Sequence, residues 1–401
     1  MKKQNMIFLL AALLASCGGV DSSTFEEEPS SSTQIEESET PTESESSSET
    51  QSPTEKESES STDLTSEESS SPIEVTTPFH KEKNITHYLG SDNDVYRINI
   101  TTENNEFPVD KENYVTGSLN VTEQDSSKVF QENMNMKIKL RGNSTLAADK
   151  KPFKIIFDEK QSMFGLEKAK DWVLLANYYD KSNIRNYLAY LTANKLTNLD
   201  FQPSSIFVDV YFNNEYIGLY LLCEQIEAKK GRVSVDKNFS EDGVSSFLLE
   251  ADERAKDEYK GFQGSCYVTS GRYDFALKGP DADDYVEAFE IVNDPSSSSE
   301  DIKEANETLA QFNKDTAWLQ AFMDKTSEAI YSNKGYEDYI DVDSFIDFYL
   351  VQEFFKNVDV GSTSQFYVID QADETVKLKA GPVCQVLEQC ITQHVMLSLL
   401  S

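Results

Sequence analysis

The chain is poor in the residues that most soluble catalytic sites use. It has three histidines, His80, His87 and His394, and they form no pattern with metal-ligand spacing. A histidine-based triad or zinc site is therefore disfavoured. Five cysteines, none in a Cys-x-x-Cys pair, are too few for a disulfide framework. Cations are scarce: 36 Lys and Arg stand against 71 Asp and Glu, a formal net charge of −35. Such a balance argues against nucleic acid as a partner, because phosphate backbones are bound by clustered cations. No apolar run reaches the ~20 residues that span a bilayer. No Gly-x-Gly-x-x-Gly loop precedes the lysine-rich segment around 150–154.

What is present begins at the N-terminus. Lys2 and Lys3 precede the ten apolar residues Met6–Ala15, and Leu14-Ala15-Ser16-Cys17 follows. A positive start, a short apolar core and small residues before a cysteine predict a lipoprotein signal over 1–17, with Cys17 lipidated. Diacylation would anchor the chain stably, facing outward at the cell surface. Residues 18–78 then read as a stalk. Between Asp21 and Val75 the chain holds 17 carboxylates against Lys56 alone, embedded in Ser, Thr, Pro and Gln. So little apolar surface cannot offset ordering entropy, so a disordered, charge-extended spacer is expected.

Globular composition runs over 79–383. Alternating apolar residues predict strands at 95–102, 136–140, 152–157, 206–212 and 216–224, with Asn213-Asn214-Glu215 as a hairpin turn. Residues 180–196 predict an amphipathic helix with apolar positions Ile184, Leu188, Leu191 and Leu196, capped by Asp180 or Ser182. Trp172 reads as core. Helical periodicity covers 282–292, 301–331 and 343–356, and a strand pair follows at 365–369 and 375–379. Strands first and helices later predict an α+β fold in two lobes, a strand-rich N-lobe and a mainly helical C-lobe.

Asp359, then Ser364 five residues on, then a hairpin and Gly381-Pro-Val383 follow the order of a kinase catalytic loop and its metal-binding turn. Alone, an aspartate before a hairpin is a weak signal. The surrounding blocks are more specific: LRGNST (140–145), KKPFKIIF (150–157), DWVLLANYYDKSNIRNYLA (171–189), VDVYFNNEYIGLYLLCEQIE (208–227), FLLEAD (247–252), LKGPD (277–281), IDVDSFIDFYLVQEFFKNVDV (340–360) and KAGPV (379–383). In this order they resemble the CotH family, spore-coat-protein-H-like atypical protein kinases, across 95–383.

The resemblance implies transfer of the ATP γ-phosphoryl to Ser or Thr of surface or secreted proteins, with ATP and Mg²⁺ as cofactors. It implies Asp359 as the catalytic base. Arg141, Lys151 and Lys154 are candidates to hold phosphates. Glu224 lies on a strand resembling the adenine-facing hinge, or is a plain strand residue. Ser364 is a weak metal-ligand candidate.

The resemblance stops inside a motif. Where the family continues Gly-Pro-Val with Trp-Asp-Phe-Asp, this chain has Cys384-Gln385-Val386, and no aspartate follows Asp373. The tail 384–401 also lacks Gly, Tyr, Phe and Lys, yet holds two of the five cysteines. A frameshift or a divergent end after Val383 is expected. It would leave the C-lobe incomplete, remove the main Mg²⁺ carboxylate and impair transfer. The alternative reading is a non-catalytic binding, adhesin or coat-assembly module on the same fold.

Overall fold

The computed structural model describes residues 95–124, 129–235, 244–357, 359–361, 363–372 and 375–384. The signal, stalk and tail expectations therefore lie outside the described residues. No helix among those residues is long and apolar enough to cross a membrane.

Seven strands close a barrel: β1 (Tyr96–Thr102), β2 (Val115–Thr122), β3 (Val129–Leu140), β4 (Phe153–Gln161), β5 (Ala169–Leu175), β6 (Ser205–Phe212) and β7 (Glu215–Glu224). Their order is β1-β2-β3-β4-β5-β7-β6, and a parallel β1–β6 pairing, Ile98 opposite Val210, completes the ring. Alternation decides what fills it, because successive strand residues point to opposite faces. Met136, Ile138, Phe153, Ile155, Phe157, Trp172 and Leu174 point inward and are buried, whereas Lys137, Lys139 and Lys154 lie on the outer face. The expected hairpin turn forms: Asn213 and Asn214 both adopt positive φ, 49° and 69°. That combination is the type I′ geometry that asparagine tolerates. Asn213 Oδ1 also accepts from the Thr102 amide at 2.9 Å, pinning the turn to the end of β1.

Helix α1 (Arg185–Ala193) follows β5. Asp180 caps its entrance, as expected: one carboxylate oxygen accepts from the Arg185 amide at 2.9 Å, the other from the Ser182 amide and hydroxyl. Which face it buries departs from expectation. Ile184, Leu188 and Leu191 are exposed at 44, 37 and 39 %, while Asn186, Ala189, Tyr190 and Ala193 are buried. The small Ala189 and Ala193 let a neighbouring helix approach closely, and Tyr190 packs on the barrel residues Val173, Leu175 and Leu221. Tertiary neighbours select the buried stripe over the longer apolar side chains.

A second sheet carries β8 (Phe247–Ala251), β9 (Tyr267–Ser270), β10 (Tyr273–Gly279), β11 (Gln365–Ala372) and β12 (Thr375–Ala380), in the order β12-β11-β8-β10-β9. The short α2 (Ala255–Glu258) leaves β8, and α3 (Ala282–Asn293) and α4 (Ser299–Ser332) follow β10. One sheet face, Phe247, Leu249, Phe275, Leu277 and Ile369, packs on Phe312, Leu319, Phe322 and Met323 of α4. Helix α5 (Val342–Phe355) presents Phe348, Val351 and Phe355 to Ala189 and Ala193 of α1. Strands and helices together make the fold α+β, as expected, although β2, β5, β8, β9 and β10 were not read as strands in the sequence. Gly381 shows why that position admits no side chain. A Cβ there would lie 2.7 Å from the Phe366 carbonyl, to which the Gly381 amide donates.

The polypeptide leaves the barrel at Glu224 and turns toward the second sheet. That turn is closed by a fully buried ion pair, Arg232 Nη1 to Glu224 Oε1 at 2.7 Å, with the guanidinium 4.9 Å from the Trp172 ring centroid. The Ser204 amide donates to the other Glu224 oxygen at 2.8 Å. Removing one partner strands a charge in low dielectric. Arg232→Ala is expected to cost about 3–5 kcal/mol in urea unfolding, whereas Glu224→Gln with Arg232→Met recovers most of that loss. A loss below ~1 kcal/mol would show that the pair is relaxed by solvent.

Candidate active site

The sequence-derived candidates fall on the barrel strands β4 and β7, on the segment joining β3 to β4, and on the loop after α5. Strand β3 ends at Leu140, and Arg141-Gly-Asn-Ser144 turns away from it into a short 3-10 helix, Ser144–Ala147. Lys151 Nζ donates to the Leu146 carbonyl at 2.7 Å, so this lysine holds the turn in place. The neighbouring Lys150 reaches the Ala176 carbonyl at 2.7 Å across the Tyr220 ring. Lys154 points outward from β4 and pairs with Asp171 on β5 at 3.2 Å. Asp171 is nearly buried and also receives Lys229 at 3.1 Å, which in turn binds Glu227 at 2.6 Å. Burial, the largest influence, pushes the Glu227 carboxyl up. Burial also pulls the Lys229 ammonium down, but Glu227 and Asp171 together hold it above its ordinary value.

Arg141 is half-buried, and no carboxylate lies within ion-pair distance of it among the described residues. Its guanidinium is close enough to Cys223 and Tyr190 to favour their ionised forms, although burial dominates and drives both groups up. A half-buried cation without a carboxylate is suited to an anion that arrives with a ligand.

Asp359 follows helix α5 on a short loop built by amides. Asn357 Nδ2 donates to Gln352 Oε1 at 2.8 Å in the interior, and Asn357 Oδ1 accepts from the Asp359 amide at 3.2 Å. The Thr363 amide then donates to the Asp359 carbonyl at 3.3 Å. Burial raises the Asp359 carboxyl above the usual range. Arg254 opposes that rise, and the Asp252 charge adds to it.

Asp252 and Arg254 are the residues that sequence reasoning missed. Arg254 grips Asp252 with two bonds, Nε to Oδ1 at 2.8 Å and Nη2 to Oδ2 at 2.6 Å. It also meets the barrel. With its amide oriented to accept, Asn143 takes Arg254 Nη2 at 3.2 Å. Arg254 thus joins the turn after β3, the end of β8 and the neighbourhood of Asp359. The sequence signal for the pair was the FLLEAD block, which ends at Asp252 two residues before Arg254.

Two candidates sit elsewhere. The Glu224 carboxylate is committed to Arg232 and Ser204, and its own amide donates to the Ser204 carbonyl at 3.2 Å, so its polar groups turn into the protein. Ser364 is half-buried at the start of β11 with positive φ, 53°. Cys17 lies outside the described residues. Among those residues, no group of three or more His, Cys, Asp or Glu side chains converges on a metal position.

The search of curated proteins found no match for this sequence. The family model described as CotH kinase protein matches residues 138–382. The matched stretch starts within β3 rather than at β1, includes Arg141, Lys151, Lys154, Glu224, Asp359 and Ser364, and ends where the sequence departs from the family motif. With well over half its length matched, the chain belongs to the CotH kinase family.

Proposed function

We propose that this chain is an exported, lipid-anchored protein kinase of two-lobed, kinase-like build that acts on Ser or Thr of surface or secreted proteins. The observation that carries this reading is Asp359. It stands on an amide-braced loop, its carboxyl raised by burial, beside the Arg254–Asp252 pair, inside the stretch that matches the kinase family. Bound ATP supplies the γ-phosphoryl group. Asp359 accepts the proton of the acceptor hydroxyl as its oxygen bonds to phosphorus and the bond to the bridging oxygen breaks. A raised carboxyl suits a proton acceptor, since its carboxylate is the stronger base and holds the accepted proton more tightly. Arg141 offsets phosphate charge, and Lys154, steadied by Asp171, adds a second positive group.

The family also implies a divalent metal. The described residues do not make a site for one: Asp252 is spent on Arg254, and Ser364 offers a neutral hydroxyl. The family's metal-binding aspartate falls at Gln385 here. We therefore propose that transfer by this chain is impaired. The same absence favours the second reading, a non-catalytic surface-binding or assembly module, which ATP-independent retention of a protein partner would support.

Three measurements test these readings. Radiolabelled palmitate is expected to enter the full chain in a bacterial host and to be lost in Cys17→Ser; equal labelling would remove the anchor. Gln385→Asp is expected to raise metal-dependent transfer from ATP to a Ser-containing acceptor at least about tenfold, which corresponds to ~1.4 kcal/mol of barrier. No change would dismiss the missing carboxylate as the defect. Asp359→Asn is expected to abolish transfer while raising the melting temperature at pH 7–8. The sign follows from linkage. A carboxyl whose folded pKa is raised binds its proton more tightly in the native state, so its ionisation costs stability at neutral pH. The stability gain should shrink as the pH falls through the raised folded value and vanish toward ~2–3, below the ordinary aspartate value of ~3.9, where the wild-type group is protonated in both states. A variant that keeps full activity would remove Asp359 from the chemistry.

A further inference from the structure

The outer face of β3 carries a row of cations for which the proposed reaction has given no role. Lys137 and Lys139 are two residues apart and share that face. Lys139 stands directly opposite Lys154 in the β3–β4 register. Like charges placed opposite one another on neighbouring strands destabilise a sheet. Lys154 has Asp171, but no carboxylate lies within ion-pair distance of Lys111, Lys137 or Lys139 among the described residues. Tyr114 supports Lys137 and Lys139: its ring centroid lies 4.9 Å from Lys137 Nζ and 4.5 Å from Lys139 Nζ. Burial first, then Lys154, lowers the Lys139 ammonium, and Lys111 adds to that repulsion against Glu112 and Asp283. Asp110, Glu112 and Asp283 act on Lys139 only from beyond ion-pair distance, so the row holds no direct ion pair among the described residues.

The row also leads somewhere. Lys111 Nζ lies 3.3 Å from the Asn143 side chain, whose amide stands between it and Arg254, and Arg254 reaches electrostatically to Asp359. Along a strand, outward positions repeat every ~6.6 Å, the same spacing as alternate side chains of an extended peptide. We propose that Lys137 and Lys139 on Tyr114, with Lys111 near Lys139, form an acceptor-recognition strip for acidic residues flanking the phosphorylated Ser or Thr of an extended substrate segment. This rests on the kinase reading and names its substrate class.

The test uses the full chain and a fluorescent peptide with one serine flanked by glutamates at alternate positions. A glutamine-flanked peptide is the control. Anisotropy is expected to show tighter binding of the glutamate peptide, weakening as salt rises from 50 to 300 mM, on the order of the screening change over that range. Lys137→Glu with Lys139→Glu is expected to weaken that binding about tenfold and to leave the glutamine peptide unaffected. In transfer assays the same variant should raise KM for the glutamate peptide and leave KM for ATP unchanged. A rise in KM for ATP alone would assign the strip to nucleotide phosphates and overturn the proposal. Equal binding of both peptides, or no effect of the variant, would overturn it as well. Peptide binding is read without turnover, so charge-selective binding with no phosphoryl transfer even in Gln385→Asp would indict the kinase reading and leave the strip standing.

Discussion

Closure of the seven-stranded barrel is the constraint on which the rest of this molecule depends. A closed barrel has no free edge, and its interior admits only side chains that pack without water. Every second residue of β3, β4 and β5 is therefore committed to the dry side, and Met136, Ile138, Phe153, Ile155, Trp172 and Leu174 fill it. The residues between them have one other place to go. Lys137, Lys139, Lys154 and Asp171 reach the outer face because their neighbours are needed inside. The polar outer face of these strands is in this sense a by-product of core packing.

Two linkages then join the barrel to the segments that follow it. The buried Arg232–Glu224 pair fixes the turn by which the chain leaves the barrel, stacked over Trp172 of the barrel interior. Arg254 spans the junction from the other side, with Asp252 in its fork and Asn143 at its tip. The two differ in kind. The first is sealed from solvent and bears on stability. The second is partly open and sets the field around Asp359, where burial raises the carboxyl and the guanidinium restrains that rise. Helix α1 braces both regions by packing its tyrosine face on the barrel and its alanine face on α5, whose C-terminal end delivers the Asn357–Asp359 loop.

Strands with clean alternation were legible in the sequence, as were the Asn213-Asn214 turn, the Asp180 cap and the long helices, because each depends on local chemistry. Strands β5 and β8 escaped for a physical reason. WVLL and FLL are buried on both faces, so they carry no alternation to read. The buried side of α1 also escaped. Its leucines mark an apolar stripe, but the contact is made by Ala189 and Ala193, whose merit is smallness and shows only against a partner. Among site residues, Asp359 lies within the field of Arg254 and Asp252, Lys154 pairs with Asp171, and Arg141 stands near Cys223 and Tyr190. Lys151 and Glu224 turn to backbone and interior partners that no linear spacing reveals.

The sequence by itself determined the acidic balance, the alternation that makes a barrel, the position of Asp359 and membership of the kinase family through its ordered blocks. It also determined that no aspartate follows Asp373, since that is a fact of residue order. The tertiary structure decided which cations meet a carboxylate in an ion pair and which do not. Lys154 finds Asp171 across the β4–β5 pairing and Arg232 finds Glu224 at the end of β7, whereas Lys137, Lys139 and Arg141 have no carboxylate within ion-pair distance among the described residues. Charge pairing depends on distance in space, and residues separated along the chain become neighbours only when the barrel closes and the second sheet docks against it.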